Sequence, residues 1–119
     1  NYELMKNGTF PEDLIKKENT QMRSVWSIPT PQKSEKAFGK HPTQKPLALL
    51  NRIVQASTKP GDIILDPFNG SGTTGVACQL AGDRYFIGIE ISPEYCEISK
   101  LRFQNYEKEQ KEFLYQYAY

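Results

Sequence analysis

The sequence has few of the residues from which metal sites and disulfide frameworks are built. It contains one histidine, His41, and two cysteines, Cys78 and Cys96, which form neither a Cys-x-x-Cys motif nor a cluster with the histidine. Because a structural zinc site needs four ligands of this kind, we predict no metal site. We expect two reduced, buried thiols, which favours a cytoplasmic protein.

Long apolar runs and a secretory signal are also missing, so we predict no membrane span. The 119 residues are nevertheless 38% hydrophobic and 12% aromatic, which suits a globular protein with one modest core. The chain begins at Asn1, and its first third has no strong hydrophobic periodicity. We therefore expect one domain or part of one, cut from something longer.

Charge is distributed unevenly although the formal net charge is only +1. Residues 1–60 carry ten Lys and Arg against five Asp and Glu, whereas residues 61–119 carry five against nine. Four lysines of the first half lie close together, at positions 33, 36, 40 and 45. They suit a polyanion such as DNA, but on charge alone an ordinary solvated loop is the better explanation.

The hydrophobic pattern predicts alternating helices and strands after residue 45. The predicted elements are a helix over 46–57, a strand over 62–65, a helix over 73–81, a strand over 85–89 and a helix from Pro93 toward Glu109. Pro46 suits the first turn of its helix, and Ser92 suits an N-cap. The apolar run over 85–89 is typical of a parallel strand buried on both faces. This order indicates a doubly wound α/β fold.

The first 45 residues carry weaker signals. Residues 1–24 predict loops with one short helix around 12–18, and residues 25–28 predict a short edge strand or an extended segment. Residues 29–45 are basic and rich in Pro and Gly, which predicts a loop. We therefore divide the chain into a loop-rich basic segment, 1–45, and an α/β half-domain, 46–119.

A glycine-bearing turn, DPFNGSGTT over residues 66–74, lies between a predicted strand and a predicted helix. Cofactors dock at such turns in doubly wound folds. Asp66 and Glu90 follow two parallel strands, so both should reach the same edge of the sheet. Gly70 and Gly72 allow a ligand to approach the backbone, and the Glu90 carboxylate can accept hydrogen bonds from both ribose hydroxyls.

Three types of nucleotide site compete for this turn. A P-loop needs a lysine and then Ser or Thr after its second glycine, whereas Gly72 is followed by Thr73 and Thr74. Residues 70–75 do satisfy the dinucleotide pattern G-x-G-x-x-G, but that pattern alone is a weak signal. Asp66 favours a ligand that bears an ammonium group and would repel a pyrophosphate. The remaining alternative is a purely structural turn.

Three segments together resemble the S-adenosylmethionine-dependent DNA methyltransferases that methylate exocyclic amines, in their permuted group. Residues 66–73 are similar to the cofactor motif of that family. Residues 39–46, GKHPTQKP, are similar to its second cofactor segment, and residues 86–95 to the segment that follows the motif. The resemblance covers about residues 25–105. It implies the carboxyl-terminal portion of a Rossmann-like methyltransferase fold that binds S-adenosylmethionine.

Cofactor-binding roles follow from this resemblance for residues in all three segments. The methionine-side pocket would contain Asp66, Pro67, Phe68, Gly70, Ser71, Gly72 and Thr73. The loop that closes over it would contribute His41, Pro42, Thr43 and Lys45. Lys45 or nearby amides would face the cofactor carboxylate, while Glu90 and Ile91 would hold the adenosine end.

The catalytic motif of the family, Asp/Asn/Ser-Pro-Pro-aromatic, is missing, because the sequence contains no Pro-Pro pair. In the permuted group that motif lies upstream, so we expect the catalytic half to be absent and name no catalytic residue. The function implied is methylation of adenine N6 in double-stranded DNA, with the target base flipped out of the duplex.

Other activities stay open at this point. The same scaffold methylates cytosine N4, and a non-catalytic remnant that binds S-adenosylmethionine would show the same motifs. A methylase acting on RNA or on a small molecule is disfavoured by the basic first half. The resemblance also leaves open a homodimer and a cognate restriction endonuclease system.

Overall fold

The computed structural model describes Lys6, Thr20, Gln21 and residues 24–117, with side chains described up to Glu112. The helices and strands are α1 (Leu47–Ser57), β1 (Ile63–Asp66), α2 (Thr73–Ala81), β2 (Tyr85–Gly88) and α3 (Pro93–Tyr117), preceded by a 3-10 turn at Ser34–Lys36. The predicted order of helices and strands is therefore confirmed. The short helix predicted around 12–18 lies outside the described residues.

The two strands form a parallel pair joined by α2. Ile63 pairs with Tyr85 and Asp66 with Gly88. Two further backbone bonds extend the pairing past the strand ends, from Ile89 N to Asp66 O at 2.9 Å and from Asn69 N to Ile89 O at 2.9 Å. The polar residues that follow both strands are therefore held at one edge of the sheet.

The core lies between one face of this sheet and the two helices α1 and α2. Val54 of α1 and Ala77 and Cys78 of α2 are buried at its centre, and Ile64 and Phe86 of the strands pack against them. Side chains alternate between the faces of a strand, so one residue in two reaches this core. Burial raises the pKa of the Cys78 thiol, which keeps it protonated and inert at neutral pH.

The opposite face of the sheet is apolar and uncovered. Ile63, Leu65, Tyr85 and Ile87 are 68%, 58%, 68% and 53% exposed. The prediction that the strand at 85–89 is buried on both faces is therefore wrong for this chain. The physical reason is that α1 and α2 lie on the same face, and no helix in the described part of the chain covers the other.

Helix ends follow the predicted signals, with corrections at two of them. Pro46 is extended, with φ −67° and ψ 141°, and caps α1 instead of joining its first turn. Its carbonyl accepts a bond from Leu50 N. α3 begins at Pro93 as predicted, and Ser92 Oγ accepts a bond from Tyr95 N at 3.4 Å. It continues past Glu109 because no Gly or Pro follows Pro93.

Two smaller predictions also need correction, and one of two alternatives is excluded. β1 begins at Ile63 and not at Asp62, although Asp62 O still accepts a bond from Tyr85 N at 3.0 Å. No strand forms over 25–28, which leaves the extended segment as the prediction there. Cys96 is half-buried, and its Sγ donates to Glu90 O at 3.5 Å. Among the described helices, none is both long enough and apolar enough to cross a bilayer.

Candidate cofactor site

A cavity of about 340 Å³ lies at the carboxyl end of β1, between the loop 41–45 and the glycine turn 66–74. Its size is within the range of small-molecule sites, which begins at about 300 Å³. The lining residues are His41, Thr43, Gln44, Lys45, Leu50, Asp66, Phe68, Asn69, Gly70, Ser71, Thr73 and Thr74. Two segments that are about 25 residues apart in the sequence thus share one cavity.

Most of the residues predicted from the sequence meet in this cavity. Those in its wall are His41, Thr43, Lys45, Asp66, Phe68, Gly70, Ser71 and Thr73, whereas Pro42, Pro67, Gly72, Glu90 and Ile91 lie outside it. Sequence reasoning missed Gln44, Leu50, Asn69 and Thr74 as lining residues. For Thr74 a signal was present, since a hydroxyl at the second position of a helix lies near the preceding strand end.

Left-handed backbone shapes the glycine turn. Gly70 has φ +56° and Gly72 has φ +83°, conformations that other residues seldom adopt. A Cβ on Gly70 would lie 3.2 Å from His41 Nε2 and would fill the gap between the two loops. A Cβ on Gly72 would collide with Ser99 Oγ of α3. Both glycines are therefore needed to bring the turn close to its neighbours.

Internal hydrogen bonds orient the Asp66 carboxylate at the end of β1. Oδ1 accepts a bond from Phe68 N at 3.1 Å, and Oδ2 accepts one from the Thr74 hydroxyl at 2.6 Å. The neighbouring Phe68 side chain is 89% exposed. One wall of the cavity therefore combines a fixed negative charge with an unpartnered aromatic ring.

Glu90 connects the end of β2 to the glycine turn. Its Oε2 accepts a bond from Gly70 N at 2.8 Å, and its Oε1 accepts one from Ser92 N at 3.0 Å. These amide bonds, the one from Ser92 foremost, hold the pKa of Glu90 below its ordinary value against an opposing effect of desolvation. A carboxylate has about four acceptor positions, so the bonds from Gly70 N and Ser92 N do not exhaust its capacity.

His41 anchors the second loop of the site. Its ring packs on Tyr95 of α3, with ring centroids 4.3 Å apart, and its Nδ1 accepts a bond from Thr43 N at 3.2 Å. The Lys45 ammonium donates to Thr43 O at 3.0 Å. That Lys45 faces a cofactor carboxylate therefore stays a prediction, since its ammonium bonds within its own loop here.

Arg102 of α3 lies beneath the glycine turn and was not predicted as part of the site. It is 7% exposed, and its Nη1 donates to Ser71 O at 2.9 Å, Ser71 Oγ at 3.1 Å and Thr73 Oγ1 at 3.0 Å. Thr73 Oγ1 in turn donates to Lys45 O at 3.1 Å. A sequence signal did exist, because an arginine four residues after Ile98 falls on the buried face of α3.

Comparison with known proteins places this site in a family. A family model described as DNA methylase matches residues 1–101, and the chain belongs to this family. Type II methyltransferase M2.MboI of Moraxella bovis is 53% identical over 96 residues, which are 79% of this chain. Type II methyltransferase M2.DpnII of Streptococcus pneumoniae is 50% identical over 104 residues, or 87% of this chain. In both cases the match covers 35% of the relative.

Solved structures agree with the predicted fold class. The cytosine-N4-specific PvuII DNA methyltransferase aligns with a TM-score of 0.52 and 29% identity, over 73% of this chain and 32% of its own. TTHA0409 of Thermus thermophilus, solved with S-adenosyl-L-methionine, aligns with a TM-score of 0.51 and 27% identity, over 86% of this chain and 51% of its own. The predicted Rossmann-like methyltransferase fold is therefore confirmed.

The close approach at Gly72 gives a first prediction. Gly72→Ala should lower the free energy of unfolding by about 3 kcal/mol, because left-handed strain and the collision with Ser99 add together. Gly61→Ala is the matched control, since Gly61 has φ +92° but open space around its Cβ position. It should cost only about 1 kcal/mol. Urea unfolding measures both values, and equal losses would contradict the role of the collision.

The lowered pKa of Glu90 gives a second prediction. A carboxylate whose pKa is depressed by folding stabilises the protein above its unfolded pKa, and this contribution is lost as the pH falls through the folded pKa. The unfolding free energy of wild type should therefore exceed that of Glu90→Gln, and the difference should be largest at neutral pH. It should shrink as the pH falls below the ordinary pKa range of glutamate. Urea unfolding from pH 7 to pH 3 measures it. A difference independent of pH would contradict the prediction.

Proposed function

We propose that the cavity binds S-adenosylmethionine and that the chain is the cofactor-binding half of a DNA methyltransferase that methylates adenine N6. The observation that carries the proposal is the meeting of the loop 41–45 with the glycine turn around one cavity. Membership in the DNA methylase family and the fold shared with TTHA0409 support it. The chain spans 35% of the length of the curated relatives it matches, so we propose the activity for a longer protein that contains it.

The residues present fit this cofactor. It carries an ammonium group, a sulfonium charge, a carboxylate and a ribose, so it needs acceptors and donors in one small space. Asp66 places a fixed carboxylate in the wall for the ammonium group. Gly70 leaves a gap beside His41 that any side chain would fill. Glu90 lies outside the cavity wall but bonds Gly70 of that wall, and its remaining acceptor capacity would serve the ribose hydroxyls.

The work of these residues is to bind and to orient. Bound S-adenosylmethionine would supply an activated methyl group. Asp66 and Glu90 would fix the two ends of the ligand, while His41 and Thr43 would close over it and exclude water. Neither carboxylate takes a proton in this proposal. Their contribution is to hold the two reactants in line, which is itself a large part of catalysis.

The target base and the catalytic loop are proposed to meet the cofactor from another part of a longer protein. We propose that this part carries the missing Pro-Pro-aromatic motif, whose groups would bind the amino group of the flipped base. Lysines 33, 40 and 45 are exposed, Lys45 lines the cavity, and all three would suit the DNA backbone. A restriction endonuclease partner and a homodimer remain proposals of the same kind.

Cytosine N4 is the second candidate target. The solved PvuII enzyme, whose fold this chain shares, is described as cytosine-N4-specific. The residues around the cavity bind cofactor and do not contact the target base, so they do not separate the two reactions. We favour adenine on the resemblance of residues 25–46.

Nucleoside mass spectrometry tests the proposed activity. Unmodified DNA is incubated with S-adenosylmethionine and the longest natural chain that contains these residues, and is then digested to nucleosides. N6-methyladenine is the expected product, whereas N4-methylcytosine would move the assignment to the second candidate. Cofactor binding without either product would favour a binding protein or a substrate other than DNA.

Removal of the Glu90 carboxylate tests the binding role directly. Glu90→Ala should weaken S-adenosylmethionine binding about tenfold or more, since it removes charge-assisted acceptors and releases Gly70 N. Glu94→Ala is the control, because Glu94 is an exposed carboxylate four residues further along the chain, in the first turn of α3. Calorimetric titration of the longest natural chain measures both variants. Equal affinities for the two would remove Glu90 from the site.

A further inference from the structure

We propose that Arg102 is a positioning residue of the cofactor site, which holds the glycine turn and the loop 41–45 in binding geometry without touching the ligand. The proposal rests on the proposed function, since it concerns the same cavity. Arg102 is not in the cavity wall, and its contacts with the turn come from α3, 29 to 31 residues further along the chain.

The contacts of the guanidinium show what it holds. Nη1 donates to both oxygens of Ser71 and to the hydroxyl of Thr73, all within 3.1 Å. Ser71 and Thr73 also line the cavity, which Arg102 does not reach. They flank Gly72, which has φ +83° and offers no side chain to restrain the turn. A single side chain thus restrains the residues before and after Gly72.

The Arg102 guanidinium is also linked to the loop 41–45 through one side chain, that of Thr73. The Thr73 hydroxyl accepts from Arg102 and donates to Lys45 O at 3.1 Å. A hydroxyl has one proton, so accepting from Arg102 leaves that proton for the Lys45 carbonyl. Thr73 thus bonds the second loop directly, and Arg102 holds the Thr73 hydroxyl in the orientation that makes this bond.

The burial of Arg102 indicates a functional rather than a stabilising role. Arg102 is 7% exposed, and its three acceptors are neutral oxygens. Desolvation of a charge is costly, and an apolar residue of similar volume is often as stable or more so. The charge of Glu35 lies near enough to favour the charged guanidinium. The feature that an apolar residue would not supply is a charged nitrogen, Nη1, that donates to all three oxygens.

The test compares two Arg→Lys substitutions in the longest natural chain. Arg102→Lys keeps the charge on a shorter side chain, so its one ammonium group should fall short of the three oxygens that Nη1 bonds. Arg84→Lys is the matched control, since Arg84 also bonds several oxygens, including Gly82 O at 2.9 Å and Thr58 O at 3.2 Å. These bonds lie at the opposite end of the strands from the cavity. Both should lower the melting temperature. Only Arg102→Lys should weaken S-adenosylmethionine binding, by about tenfold.

Two further readouts separate positioning from general destabilisation. For Arg102→Lys the KM for S-adenosylmethionine should rise about tenfold, while kcat at saturating cofactor stays within about twofold of wild type. Amide hydrogen exchange in the absence of cofactor should accelerate at residues 70–73 in this variant and not in Arg84→Lys. Should Arg102→Lys not fold, Ser71→Ala removes one acceptor and should accelerate exchange at the same amides.

Affinity and exchange equal to those of Arg84→Lys would overturn the proposal, as would a fall in kcat with unchanged KM. Wild type that binds no S-adenosylmethionine would refute the proposed function, and the role of Arg102 with it. Wild type that binds, together with an unaffected Arg102→Lys, would refute only the positioning role.

Discussion

The arrangement of the cavity depends on one hydroxyl group, Thr73 Oγ1. It accepts a bond from Arg102 at 3.0 Å and donates one to Lys45 O at 3.1 Å, and Thr73 is only 6% exposed. Because its single proton is committed to the carbonyl, the direction of both bonds is determined. Three segments that are distant in the sequence, α3, the glycine turn and the loop 41–45, are joined at this atom.

Opposite charges hold successive residues of the glycine turn. The Glu90 carboxylate accepts from Gly70 N, and the Arg102 guanidinium donates to Ser71 O. Each charged group takes a backbone group that the left-handed turn leaves without a partner in a helix or strand, which charge-assisted bonds satisfy well. The turn is therefore restrained from two sides, although glycine leaves the backbone freer than any other residue does. Pre-organisation of this kind lowers the entropy lost when a ligand binds.

The helices and strands after residue 45 were predictable because their signals are local. Apolar spacing, Pro93, Gly82 and the glycine turn each act within a few residues, and the meeting of Asp66 with Glu90 follows from parallel pairing. Arg102 was missed because its partners are 29 to 31 residues away. The uncovered sheet face was missed because an apolar pattern shows that a residue favours burial. It does not show which helix or strand covers that residue. The cofactor roles themselves stay predictions.

The uncovered face also has a consequence for handling the protein. Among the described residues each strand has a single neighbour, so the outer edges of both strands present unpaired N–H and C=O groups beside a stripe of Ile, Leu and Tyr side chains. Such an edge is a template on which further strands can add. At the concentrations of a purification, identical copies would compete to occupy it. Association through these edges increases with concentration, so recovery of the folded chain depends on how far it is diluted.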